Sequence, residues 1–237
     1  MTPVLELSDV SKDYRGLRPL RVAALSVGVA EQIAIVGWDG PAAEVFVNLV
    51  TGTTLPDRGD VKIFGRSTAG IADSADWLAV VDRFGIVSER AVLLDQLSVI
   101  QNLAVPFTLD IEPPPDDVRE RASALASKVR LPEATWTGAV ADLDQASRMR
   151  VRLGRALALD PAVLLLEHVS AGLTPEDRET LGNDLRTIAE RRSVATVTLT
   201  ADETFGRAAA TRVLTIDLAT GRFMERRRSW FRDRFRR

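Results

Sequence analysis

Residues 31–51 read EQIAIVGWDGPAAEVFVNLVT, and this stretch decides the fold. Ile33 to Val36 is an apolar, β-branched run of strand length; it breaks at Gly37 and gives way, from Ala43 to Val50, to apolar residues at helical spacing. A strand, a glycine turn and a helix in that order form one unit of an α/β core. Such a unit points the backbone N–H groups of its turn and helix start toward a common spot, which favours an anion.

The layout is that of a phosphate-binding loop. That loop needs glycines for the turn, a Lys for the β/γ-phosphates and a Ser/Thr for Mg²⁺, spaced GxxxxGK and then S/T. On that spacing Gly37 and Gly40 fall in place, while Ala42 stands for the last glycine, Ala43 for the Lys and Glu44 for the Ser/Thr. Pro41 removes one N–H from the turn. A charged contact to phosphate contributes about 1.5–3 kcal/mol. A carboxylate near 4 Å from a phosphate charge costs about 4 kcal/mol at an effective dielectric of about 20. The expectation is a phosphate-loop fold that no longer handles ATP in the usual way.

The rest of the chain extends this unit on both sides. Strands are expected at Val4 to Leu7, Leu25 to Val29 and Val61 to Phe64, a β-rich region around the loop, and helix at Asp73 to Val81. After a short core strand at Phe84 to Val87 the strand signals cease. LSVIQNLAVPF, DDVRERASALASKVR and SRMRVRLGRALAL read as helices, a helical subdomain at about residues 90–159 inserted into the core. Strands then return at Val163 to Leu166, Val194 to Leu199 and Arg212 to Asp217, alternating with helices at Pro175 to Arg191 and Thr204 to Ala210. That alternation predicts a parallel sheet. The domain is expected to span residues 1–221, with an Arg/aromatic tail at 222–237.

Composition narrows the function classes. The 237 residues are 46% hydrophobic, enough for one sizeable α/β domain. With 33 acidic and 31 basic residues the net charge is −2, which argues against a dedicated nucleic-acid binder. Cysteine is absent, so disulfides, thiolate metal sites and Cys nucleophiles are excluded. No zinc or EF-hand spacing occurs, no metal site is expected, and no run approaches the ~18 apolar residues of a spanning helix. The expected location is the cytoplasm, against the inner face of a membrane through partner subunits.

The order of landmarks resembles the nucleotide-binding subunit of ATP-binding cassette (ABC) transporters from Leu5 to Phe223. LELSDVSKDY, LVTGTTLPDRGDVKIFG, LSVIQNLAVPF, RALALDPAVLLLE and SAGLTPEDR carry the likeness, in register. The resemblance implies an α/β, P-loop NTPase-like core with an N-terminal antiparallel β region and the inserted helices. It also assigns places to residues. Tyr14 matches the aromatic residue that stacks on adenine, and Glu89 falls where the family has a metal-sensing Gln. Leu143, Asp144, Gln145, Ala146 and Ser147 stand for the LSGGQ signature that meets a partner's ATP. Glu167 stands for the Walker B Asp, His168 for the general base, Thr174 for the Asp of the dimer-interface loop and Ala201 for the switch His; Asp202 is kept. So many replacements together describe a subunit that kept its shape and gave up turnover, with no cofactor expected.

Blander readings stand beside these. Tyr14 also suits a structural aromatic, His168 a hydrogen-bonded histidine at a strand end, and Glu44 a helix-start carboxylate favoured by the dipole. The tail RFMERRRSWFRDRFRR carries eight Arg against Glu225 and Asp233, a charge of +6 that leaves −8 on the remainder. In it Trp230, Phe231 and Phe235, with Arg226, Arg227 and Arg228, suit an anionic membrane surface or an acidic partner, or a solvated, frayed end. The expected partners are a transmembrane transporter subunit, docked near Glu89 to Asn102, and another cassette subunit, with nucleic acid not expected. Two rival readings are a divergent ATPase, with ATP and Mg²⁺, using Tyr14, Glu167 and His168, and a binding module acting through its tail.

Overall fold

The computed structural model describes residues 3–225. In chain order the elements are β1 (Leu5–Lys12), β2 (Leu20–Val27), β3 (Gln32–Val36), α1 (Gly40–Val50), β4 (Arg58–Ile63), β5 (Arg66–Ser67), α2 (Ser74–Val81) and β6 (Phe84–Ser88). Three helices follow, α3 (Val99–Ala104), α4 (Asp116–Lys128) and α5 (Gln145–Leu157). The chain continues with β7 (Val163–Glu167), α6 (Pro175–Arg192), β8 (Ala195–Thr200), α7 (Glu203–Ala209), β9 (Arg212–Asp217) and β10 (Arg222–Glu225).

Two sheets result. The first, β2-β1-β4-β5, is antiparallel; the second, β10-β9-β3-β8-β7-β6, is parallel apart from the β9–β10 hairpin. Its central strands β3, β7 and β8 are buried on both faces, as the middle of a parallel sheet must be. In β7, Val163 and Leu165 enter a core shared with α1 and the antiparallel sheet, whereas Leu164 and Leu166 enter one shared with α5 and α6. The unbroken apolar run is a period-two strand whose two faces are both inside.

β1 and β2 are longer than their apolar patterns suggest. β1 runs on through the polar SDVSK to Lys12 because Val10 turns inward while its neighbours face water. A register shift between Ser8 and Ser11 puts Asp9 at φ +49°, opposite Gly59 at φ +83°. A Cβ on Gly59 would stand 2.4 Å from the carbonyl oxygens of both Ser8 and Asp9, so the bulge requires glycine there.

Between β6 and β7 the chain is helical. Buried Asn102 ties this region together: its Oδ1 accepts from the Leu94 N–H (2.9 Å), and its Nδ2 donates to the carbonyls of Leu94 and Ser98 (3.0 Å each). The boundary drawn at 221/222 falls inside the β9–β10 hairpin, where Phe223 packs edge-on against Trp38 at 6.1 Å. Arg226, Arg227, Arg228, Trp230, Phe231 and Phe235 lie outside the described residues.

Candidate functional site

The site lies along the C-terminal edge of the parallel sheet, where β3, β6, β7 and β8 deliver their loops. After β3 the chain turns at Gly37, whose φ of +118° suits glycine. The helix that follows starts three residues earlier than its apolar pattern suggests, because Asp39-Gly40-Pro41 is a start signal. Asp39 is the N-cap and Pro41 lies in the first turn, where a missing N–H costs nothing.

That cap determines what the loop offers to an anion. The Asp39 carboxylate accepts from the Ala42 N–H at 2.9 Å, its carbonyl accepts from the Ala43 N–H at 3.0 Å, and the Gly37 N–H bonds the Thr200 carbonyl at 3.4 Å. The chain thus places its own carboxylate at the helix N-terminus, where a phosphate would bind. Ala42 and Ala43 pack into the core beneath. The side chains here give a phosphate neither the ammonium of a Lys nor the hydroxyl of a Ser or Thr.

Glu44 lies beyond the first turn of α1, which corrects its reading as a helix-start carboxylate. Its Oε1 is 2.5 Å from Nη1 of Arg90, and Nη2 of the same guanidinium is 2.5 Å from Oε2 of Glu167. Glu167 ends β7 and is buried; Arg90 follows β6, and its N–H bonds the Ser88 hydroxyl at 3.2 Å. Among the described residues no three His, Cys, Asp or Glu side chains converge on a common metal position.

Tyr14, Gly37 and Ala42 line a cleft of about 630 Å³ with Arg18, Trp38 and Asp39. Burial, and then the charge of Asp39, pushes the Tyr14 phenol up from its ordinary value. Tyr14 also packs against the core shared by the two sheets, so its structural role coexists with its place in the cleft.

Leu143 to Ser147 lead into α5. Here too an aspartate caps the helix, with the Asp144 carboxylate accepting from the Ser147 N–H at 2.6 Å. Gln145 reaches back to the segment after β6, its Nε2 donating to Glu89 Oε1 at 2.6 Å. Thr174 caps α6, and Asp202, next to Ala201, caps α7 and pairs with Arg178 at 3.1 Å.

His168 departs from its reading as a hydrogen-bonded histidine. Its backbone, at φ +48°, donates to the Leu199 carbonyl at 2.9 Å, but the ring Nε2 is buried without a partner. Asp39 and Arg90 were the residues that pattern reading missed. Asp39 had a signal in its Asp-Gly-Pro context; Arg90 had none beyond adjoining Glu89.

Residues 20–170, more than half of the chain, match the family described as "ABC transporter". This chain belongs to the ABC transporter family. Its fold is that of the family's nucleotide-binding subunits. A similar protein is the methionine import ATP-binding protein MetN of Brucella abortus, 27% identical over 215 residues, which cover 91% of this chain and 58% of the relative. The chain therefore spans little more than half the length of that relative. Among solved structures, cbiO1 of Clostridium perfringens, part of the ABC transporter complex cbiONQ, superposes with a TM-score of 0.80 at 19% identity, covering 94% of this chain and 88% of that one. The ATP-binding cassette MJ0796, in a dimeric structure bound to ADP and Pi, gives 0.75 at 21% identity, covering 95% and 100%. At these identities the structures speak for the fold alone. Among the described residues no helix of this ABC-type chain is long and apolar enough to cross a membrane.

Proposed function

We propose that this ABC-type subunit is a non-hydrolysing scaffold or regulator within a membrane transport complex, docking on transmembrane subunits, on another cassette, or on both. The observation that carries this reading is the Asp39 carboxylate on the Ala42 N–H. It fills the helix N-terminus that a phosphate needs and repels a second anion there. Asp144 does the same at the signature-equivalent helix. Paired with another cassette, one chain of this kind would therefore weaken one shared site through its loop, at Ala42, Ala43 and Glu44, and the other through Leu143 to Ser147. The location against a membrane, and a basic-aromatic contact by the tail at residues 222–237, belong to the same proposal.

The second reading is a divergent ATPase that still binds ATP and energises transport. The Tyr14 and Arg18 cleft favours it, since an aromatic ring and a guanidinium suit a base and a phosphate. The ATP-binding name of the relative leans the same way.

The readings separate on the variant Ala43→Lys with Glu44→Ser made together with Asp39→Ser, which removes the capping carboxylate as it restores the Lys and the hydroxyl. A restored charged contact contributes about 1.5–3 kcal/mol, so ATP affinity should rise roughly 10- to 100-fold over the wild-type chain. Wild-type binding at micromolar concentration, unchanged in the variant, would favour the divergent ATPase.

A further inference from the structure

We propose that Arg90 is the resident cation of this site, a guanidinium that stands where the family's divalent metal would be held. This deepens the non-hydrolysing reading and takes its functional meaning from it. The two carboxylates it bridges come from the places where the resemblance puts the metal's hydroxyl ligand, Glu44, and the Walker B carboxylate, Glu167. Each lies 2.5 Å from a different guanidinium nitrogen. The side chain of Glu167 is only 7% exposed, so its charge needs a counter-ion, and Arg90 supplies it. Mg²⁺ prefers octahedral oxygen ligands at close to 2.1 Å. A guanidinium inserted between the two carboxylates leaves no such geometry, and the residues present do not fit the metal.

The same residue fixes the segment it belongs to. On both sides of Arg90 the chain is held by α5: Gln145 donates to the Glu89 side chain before it, and Arg152 Nε to the Ala91 carbonyl (3.0 Å) and Arg155 Nη1 to the Val92 carbonyl (2.7 Å) after it. Residues 88–92 are thus anchored to α1 and β7 through Arg90 and to the inserted helices through α5. The helical region is joined to the core by the chain's own charges, and no ligand is required. Arg90 is in this sense a positioning residue.

The test uses Mn²⁺ alone, without nucleotide, read by electron paramagnetic resonance on the full chain. Wild type should bind no Mn²⁺ at this place. Arg90→Ala leaves Glu44 and Glu167 facing each other without a counter-charge and should gain Mn²⁺ affinity by roughly tenfold or more. Adding Glu167→Gln to that variant should abolish the gain. Arg90→Gln, closer in size and polarity, serves the same comparison if the alanine variant does not fold. The proposal is overturned if neither variant gains Mn²⁺, or if wild type binds Mn²⁺ and loses it on Glu167→Gln. Because nucleotide is absent, the outcome is independent of ATP: wild type that hydrolyses ATP, while Mn²⁺ without nucleotide is gained only on Arg90→Ala, would sink the non-hydrolysing reading and leave Arg90's role standing.

Discussion

Asp184→Ala should destabilise the fold by about 3–5 kcal/mol, the range for removing one partner of a buried ion pair. Asp184 lies on α6, its side chain only 4% exposed, and both of its oxygens are taken. Oδ2 is 2.6 Å from Nη2 of Arg150 on α5, and Oδ1 is 2.6 Å from Nη1 of Arg130 after α4. Arg130 reaches water, but the Arg150 side chain is 11% exposed and would be left as a buried charge with only the Val129 carbonyl at 2.9 Å beside it. At roughly 2–4 °C per kcal/mol for a chain of this size, the melting temperature should fall by about 6–20 °C. Arg130→Ala should cost less than about 1 kcal/mol, as exposed pairs do. Equal losses in the two variants would mean that the buried charge on Arg150 is not the controlling feature.

Gly85→Val should cost about 3 kcal/mol, near the top of the usual range for overpacking. Gly85 lies in β6 where α5 crosses it. A Cβ there would stand 2.4 Å from the carbonyl oxygen of Ala156 and 2.6 Å from Leu164 Cδ2. The first contact is backbone and cannot rotate away, so strand and helix must separate. Because β6 leads directly into Glu89 and Arg90, the variant should also loosen the segment between the core and the inserted helices, seen as faster amide exchange at residues 88–92. Melting within about 2 °C of wild type, with unchanged exchange, would contradict this reading.

The frame of the molecule was legible because its signals are local. The run at Val163 to Leu166 forms β7, Pro175 starts α6, and strand patterns are absent after Val87 where α3, α4 and α5 lie between β6 and β7. What escaped depends on contacts distant in sequence. β1 continues through polar residues because pairing with β2 and β4 satisfies its backbone, and β10 forms because Phe223 finds Trp38. In the site, the positions of Ala42, Ala43 and Glu44 in α1 follow from spacing. The place of Arg90 does not, since its partners are 46 and 77 residues away in sequence and meet only once the sheet is assembled. Asp39 is the intermediate case: the Asp-Gly-Pro start signal is present in the sequence, but the hydrogen bond of its carboxylate to the Ala42 N–H appears only in the folded loop. The ring of His168 shows the reverse limit, because a histidine at a strand end was expected to find a partner and its Nε2 finds none.

On the reading proposed above, the chain's own charges close the place of a nucleotide, Asp39 at the loop and Arg90 between Glu44 and Glu167. Isothermal titration calorimetry of the purified wild-type chain with ATP and Mg²⁺ tests it most directly. No saturable heat is expected at micromolar to submillimolar nucleotide; saturable binding at micromolar ATP, lost when Tyr14 is replaced by Ala, would mean that the place is open.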